Sequence, residues 1–345
     1  MKKVSLIILS FLLLWHISAQ PNSNYLRLMF YNCENFFDTK DDPDKWDEQF
    51  TPEGVKHWTE KKYWTKVNHI GQVILAVGGL KPPEIVGLCE VENRAVLEDL
   101  VSKSPIKPFN YQIVHYESPD HRGIDVALIY RPDRFRVDTS YPIPVKFPRG
   151  MGKPTRDILY VRGFTPWNDT LHIFVNHWPS RFGGHMETDP KRLFVARLLR
   201  SKVDSLLNRN PRAYIVIMGD LNDFPTDISL TQGLHPRTDF DTIITKDIYN
   251  IAYYLQETKG LFSHRFHGEG GILDQFIVSG ALLDKKGNLY TDKDLAGIFS
   301  SPFLLEKDPE YPGYRTNRTY IGMKYHGGYS DHLPAYLDIF HKTKK

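Results

Sequence analysis

The strongest constraint on the fold is a series of short, continuous apolar runs, rich in β-branched and aromatic residues, that recur along the whole chain. They occupy residues 26–31, 85–89, 112–115, 126–130, 171–175, 214–218, 273–278 and 335–340. Most are unbroken rather than alternating, which predicts strands covered on both faces. Helical patterns lie between them. Val67, Ile70, Ile74 and Val77 fall on one helix face, and Leu193, Ala196, Leu199, Val203 and Leu206 on another. Strands interleaved with amphipathic helices predict a layered α/β fold. No repeat of 20–50 residues and no low-complexity linker divides the chain, which favours a single domain over residues 20–345. Segments 38–60, 141–157 and 281–328 look irregular, and loops of that length in a compact domain usually carry function.

Composition sets limits. With 41% hydrophobic and 25% charged residues, the chain is neither a disordered tail, a collagen-like rod nor a disulfide-stapled miniprotein. Its 44 basic and 41 acidic side chains give a net charge of +3, which argues against a charge-driven nucleic-acid binder but not against an enzyme acting on phosphates. Residues 1–19 read as a signal peptide. Lys2 and Lys3 precede an apolar core from Val4 to Trp15, too short to span a bilayer, and Ala19 ends a small-residue cleavage site. The mature protein is therefore expected to be exported, periplasmic or secreted, without a membrane span, and two lysines poorer, at a charge of about +1. Cys33 and Cys89 both sit in strand-like runs. They read as buried thiols, although an exported protein also permits a disulfide.

The informative residues end the apolar runs. FYN delivers Asn32, GLCE delivers Glu90, FVNH delivers His177, and IMGDLN delivers Asp220 and Asn222; Asp274 heads the run DQFIVS, and Asp331 with His332 precedes the last run. In α/β proteins such strand ends converge at one edge of the sheet. Each residue alone has an ordinary explanation: a turn amide at Asn32, a solvated strand end at Glu90, an Asx-turn at Asp220, a core imidazole at His177, a surface pair at Asp331 and His332. Gathering several carboxylates in one place costs several kcal/mol each unless a cation or proton offsets it. Hard oxygen donors plus histidine, without a thiolate cluster, suit Mg²⁺, Mn²⁺ or Ca²⁺ better than structural zinc.

In this order, the motifs YNCEN, LCEVEN, VNHWPSR, MGDLND, LDQFIVS and YSDHLPA resemble the endonuclease/exonuclease/phosphatase superfamily, and the opening and closing motifs are similar to an exported bacterial subgroup. The resemblance implies a four-layer sandwich of two mixed β-sheets flanked by helices. It implies Glu90 as principal metal ligand with Asn32 beside it and Asp331 completing the metal region. It implies Asp220 and Asn222 positioning the scissile phosphate and the attacking water. His332 becomes the general base or the phosphate-stabilising histidine, oriented by Asp274; we take it as the base, with His177 assisting the leaving group. A hard cation, an Asp–His pair and a neutral amide donor are what phosphodiester hydrolysis requires.

Other expectations follow from placement. Asp125, at the head of the strand before the one that ends at His177, is expected to hydrogen-bond His177 as a second Asp–His pair. Arg181 follows His177 in a turn and is placed to fork onto a phosphate. Arg315, Arg318, Lys324 and Tyr325 crowd the segment before Asp331, so Arg315 and Tyr325 are expected in a wall of the substrate pocket. The function expected is a divalent-metal-dependent phosphodiesterase, nuclease-like and without sequence preference, because no basic stripe or aromatic platform is visible. A phosphatase, a lipid phosphodiesterase and a non-catalytic binding protein on the same fold are the alternatives. A lipid-active enzyme would expose an apolar loop, for which Trp46, Trp58 and Trp64 are the candidates. No stable protein partner is expected.

Overall fold

The structure, a computed structural model, describes residues 24–343. The expected signal peptide lies outside the described residues. Among the described residues, no helix is long and apolar enough to cross a membrane.

Two large sheets form the centre. The first contains β1 (Tyr25–Phe36), β2 (Ile85–Val91), β3 (Gln112–His115), β4 (Asp125–Tyr130), β13 (Leu289–Tyr290), β14 (Ala296–Ile298) and β19 (Ala335–His341), in the order β13-β19-β1-β2-β4-β3, with β14 also on β19. The second contains β5 (Arg136–Ile143), β6 (Ile158–Phe164), β7 (Thr170–His177), β8 (Tyr214–Asp220), β9 (Ile248–Asn250) and β12 (Asp274–Ser279), in the order β5-β6-β7-β8-β12-β9. Three small hairpins complete the strands: β10 (His264–Phe266) with β11 (Glu269–Gly271), β15 (Leu305–Lys307) with β16 (Tyr314–Thr316), and β17 (Tyr320–Ile321) with β18 (Lys324–Tyr325). Both large sheets mix parallel and antiparallel pairs: β1 runs parallel to β2 and β7 to β8, while β19, β4, β6 and β12 pair antiparallel.

The unbroken apolarity of the strands has a simple cause: each sheet is covered twice. In β8, Val216 and Met218 join the cluster between the sheets, whereas Ile215 and Ile217 join the cluster under the helix α3 (His185–Arg209). Alternate residues thus serve opposite faces, and both faces are dry. The helix α1 (Glu60–Gly78) buries Val67, Ile70, Ile74 and Val77, and α2 (Arg94–Lys103) adds Val96, Leu97 and Leu100 to the same core. In α3 the buried stripe is Val195, Ala196, Leu199, Val203 and Leu207; Leu193 and Leu206 are only partly covered. The sheets approach closely at Gly87, where a Cβ would lie 2.8 Å from Met218 Cε.

Every expected run is a strand. The expectation of an irregular segment at 141–157 is corrected at its start, because β5 runs on to Ile143. Here β5 alternates exposed and half-buried residues and carries Pro142, as suits the edge of a sheet, and it was hidden by that polarity. Cys33 and Cys89 are buried free thiols. Burial pushes Cys33 up to about 12, so it remains protonated.

Candidate active site

Register assembles the site. In the second sheet, parallel pairing sets His177 directly opposite Asp220, and antiparallel pairing sets Asp274 on the other side of Asp220. Three residues from three chain segments are therefore lateral neighbours at one sheet end. In the first sheet, Asn32 pairs with Cys89, and both β1 and β2 then break register. The irregularity puts Glu34, Asn35 and Glu90 at φ +48°, +58° and +57°. Left-handed backbone at acidic residues is uncommon, and it re-aims Glu34 and Glu90 from the strand ladder.

Hydrogen bonds join the two halves. Asn32 Nδ2 donates to Asp220 Oδ2 across 3.0 Å, and Asp220 is 1% exposed. Asp220 Oδ1 accepts from the Asn222 backbone N–H at 2.9 Å, so the Asx-turn reading also holds, at the same carboxylate. His177 Nε2 lies 3.6 Å from Asp220 Oδ2 and 3.9 Å from Glu90 Oε1. His332 Nδ1 donates to Asp274 Oδ2 at 2.6 Å, and its Nε2 stands 3.9 Å from Asp220 Oδ2. Asn222 Nδ2 donates to the Trp178 carbonyl at 3.0 Å. Asn32, Glu90, His177, Asp220, Asp274 and His332 thus meet in one cluster.

The two imidazoles are tuned in opposite directions. Burial works against a charge on His332, but the carboxylates of Asp274 and Asp220 outweigh it and hold its pKa well above the ordinary value. Burial, then Arg156 and Arg122, push His177 well below it. Burial raises Asp220 to about 6, with His332 opposing the rise and Asp274 adding to it. His177 Nδ1 and Asp274 Oδ1 are buried without a hydrogen-bond partner among the described residues.

Several residues near the centre escaped sequence reasoning. Glu34, 3% exposed, accepts from the backbone N–H groups of Thr319 and Tyr320, and Arg318 Nε lies 3.5 Å from it. Arg318 also donates to Asp331 Oδ2 at 2.7 Å. Lys66, buried in α1, donates to Thr319 Oγ1 and the Tyr329 carbonyl, fixing the same loop. His264 lies beside His332 with ring centroids 4.7 Å apart and planes tilted by 41°, and burial, then His332, lower it to about 4. The signal for Glu34 was its place in the motif YNCEN, two residues after Asn32; nothing in the sequence marked Lys66.

Other expectations are corrected. Asp125 does not pair with His177: its Oδ2 lies 3.1 Å from His115 Nε2 and its Oδ1 takes the Ser118 N–H and hydroxyl. A partner on the adjacent strand β3 is closer at hand than one in the opposite sheet. Arg181 is committed to the Asn222 carbonyl, Asp223 and Asp227, and stacks over Phe224, so it braces a loop. Arg315 pairs with Glu306 at 2.7 Å, and Tyr325 packs against Trp58 and Tyr320; only Arg318 of that crowded segment turns to the centre. Trp58 is core, whereas Trp46 is exposed.

Donor atoms from Asp220, Asp274 and His332, from His264, Asp331 and His332, and from Cys89, His177 and Asp220 lie within 4.8 Å of one another in each set. Asp331 is neutralised by Arg318, while the ion-pair partners of Glu90 and Asp220 are histidines alone among the described residues. Glu90 Oε1, 3.9 Å from His177 Nε2, adds a carboxylate at the margin of these sets, and hard oxygen donors of this kind suit a divalent cation. Burial pushes the nearby Cys89 thiol well above its ordinary pKa, which disfavours the soft thiolate that zinc would take.

The profile of the Endonuclease/Exonuclease/phosphatase family matches residues 27–341. The chain belongs to this family. Solved structures agree on the fold. D. rerio TDP2 humanised by 14 mutations superposes with a TM-score of 0.57 at 14% identity, over 92% of this chain and 99% of that one. The human Nocturnin catalytic domain with bound sulfate gives 0.53 at 17% identity, over 93% and 96%. An endonuclease/exonuclease/phosphatase family protein from Bacteroides thetaiotaomicron gives 0.57 at 14% identity, over 92% and 98%. No curated protein matches the sequence.

Proposed function

We infer that the protein is an exported, divalent-metal-dependent phosphodiesterase of nuclease-like type. The observation that carries this is the lateral row His177–Asp220–Asp274, closed by His332 and faced by Asn32 and Glu90 across the two sheets. A phosphodiester placed over that row meets a charged imidazole, a carboxylate and an amide. Export rests on the N-terminal sequence.

Glu90, with Asn32 beside it on the neighbouring strand, is the set that would hold the cation, which would supply Lewis-acid polarisation of a phosphoryl oxygen. The protein's own groups do the rest. His332, kept protonated by Asp274, is suited to bind and neutralise the phosphoryl oxygens, so the phosphate-stabilising role fits it better than the base role. Asp220, raised to about 6, is matched to accept a proton from the attacking water near neutral pH, and the adjacent Asn222 adds a neutral amide. His177 faces the same carboxylate from the opposite side of the row, where, held uncharged by burial and the nearby arginines, it can donate a hydrogen bond to the leaving oxygen, whose proton then comes from solvent.

The test is hydrolysis of bis(4-nitrophenyl) phosphate and 4-nitrophenyl phosphate with Mg²⁺, Mn²⁺ or excess chelator. Turnover of the diester, lost on chelation and absent for the monoester, is the expected result. Folded protein that turns over neither would establish a binding protein, and preferred turnover of the monoester a phosphatase.

A further inference from the structure

A cavity of about 930 Å³ opens beside the catalytic cluster. Pro179 and Ser180, which follow His177 and Trp178 in sequence, form one wall. The link to the centre is a single carbonyl. Trp178 O accepts from Asn222 Nδ2 and also from the guanidinium of Arg156, which is buried in the cavity lining. Arg156 and Arg122 are also the charges that depress His177. The cavity therefore neighbours the cluster through the Trp178 carbonyl, although none of the cluster residues lines it.

Its chemistry is specific. Arg122, Lys153, Arg156 and Lys191 line it. Asp120 is taken up by Arg156 at 3.0 Å and Arg122 at 3.8 Å, and Glu48 is the other acid in the lining. Two exposed aromatic rings stand at its rim: Trp46 is 56% and Phe182 93% exposed, with the His121 ring set edge-on to Trp46 at 4.5 Å. Lys153 Nζ lies 3.8 Å from the Trp46 ring centre, so cation and aromatic plane are interleaved rather than segregated. An acyl chain laid here would cover the cations of Arg122, Lys153 and Lys191, whereas Arg156 is already buried against Asp120. A strand of nucleotides places phosphates on the cations and bases on the rings.

We propose that this groove binds one arm of the phosphodiester substrate, and that the arm is single-stranded nucleic acid. Its phosphates lie on Arg122, Lys153 and Lys191, and a base stacks on Trp46 or Phe182. The proposal rests on the phosphodiesterase reading and narrows its substrate class. It also modifies the expectation from composition, since the aromatic and basic platform is assembled from residues 46, 122, 153, 182 and 191, far apart in sequence. Recognition here reads stacking and charge, not base edges, which predicts weak sequence preference.

The experiment measures binding apart from turnover. Fluorescein-labelled (dT)₆ is titrated with the full protein in chelator by fluorescence anisotropy, alongside Lys153→Glu and Trp46→Ala, each checked by thermal melting. The expected result is saturable binding that weakens on the order of tenfold in each variant. Lys153→Glu should also flatten the dependence of log affinity on log salt by about 0.7 for each phosphate no longer neutralised. Absence of binding, or binding unchanged in both variants, overturns the groove. Retention on phosphatidylcholine–phosphatidylglycerol vesicles, lost in Trp46→Ala, without oligonucleotide binding, would overturn it in favour of a membrane surface. Hydrolysis of bis(4-nitrophenyl) phosphate by the wild type is scored separately. Hydrolysis without oligonucleotide binding sinks the groove alone, and groove-dependent binding without hydrolysis sinks the enzyme reading alone.

Discussion

Arg318 Nη2 reaches Asp331 Oδ2 at 2.7 Å while its Nε lies 3.5 Å from Glu34 Oε1, so one guanidinium binds carboxylates that are nearly 300 positions apart in the chain. Removing it leaves Glu34 buried with only backbone donors. Arg318→Ala is expected to lower stability by about 1–3 kcal/mol in urea denaturation, the range being reduced because the arginine is one-third exposed. Arg318→Lys should recover less than half of that loss, because an ammonium cannot span both partners.

The His332–Asp274 pair should behave as a unit. His332→Ala and Asp274→Asn are each expected to reduce kcat/KM on a small diester by about 10²–10⁴, with circular dichroism unchanged. The double variant should be little worse than either single one. Additive losses would show that the two act separately.

Asp220→Ala is expected to abolish turnover while leaving the fold intact, whereas Glu90→Ala should mainly raise the concentration of Mg²⁺ needed for half-maximal rate. A metal titration of initial rates in both variants checks this.

Glu92, in the same motif as Glu90, provides a test of pH dependence away from the centre. Burial raises its pKa to about 9; the Asp38 N–H opposes the rise, and the Asp38 and Asp47 carboxylates reinforce it. Between the ordinary value of 4.5 and about 9, the unfolded chain has lost this proton and the folded chain keeps it. Stability therefore falls as pH rises through that window, by at most about 1.4 kcal/mol per unit for this group. Glu92→Gln should raise Tm at pH 8 and change it little at pH 4.

Asp125 and His177 should be independent. Asp125→Ala breaks the bonds to His115 and Ser118 and should cost about 2–4 kcal/mol of stability. His177→Ala should instead reduce turnover. A double-mutant cycle on Tm is expected to show additivity within about 0.5 kcal/mol.

Sequence was sufficient for much of this because the site lies at strand ends, and strand ends are where apolar patterning stops. His177, Asp220 and Asp274 were visible for that reason, and parallel or antiparallel register did the rest. Residues that act from loops or irregularities were not. Glu34 depends on a left-handed bulge, Lys66 looks like any lysine on a helix, and Arg318 stood beside Arg315 with nothing to separate them. Asp125 was placed correctly at a strand head but assigned the wrong histidine, because adjacency within a sheet cannot be weighed from spacing alone.

The abutment of the two sheets at Gly87 and Met218 has a consequence for regulation and for failure. Neither layer owns a working half of the machinery, since the charged imidazole arrives with one and its orienting carboxylate with the other. On the function proposed above, activity would gauge interlayer alignment: a slip of an ångström between sheets, too small to break either hydrogen-bonded ladder, is expected to silence turnover while far-ultraviolet spectra stay those of a folded chain.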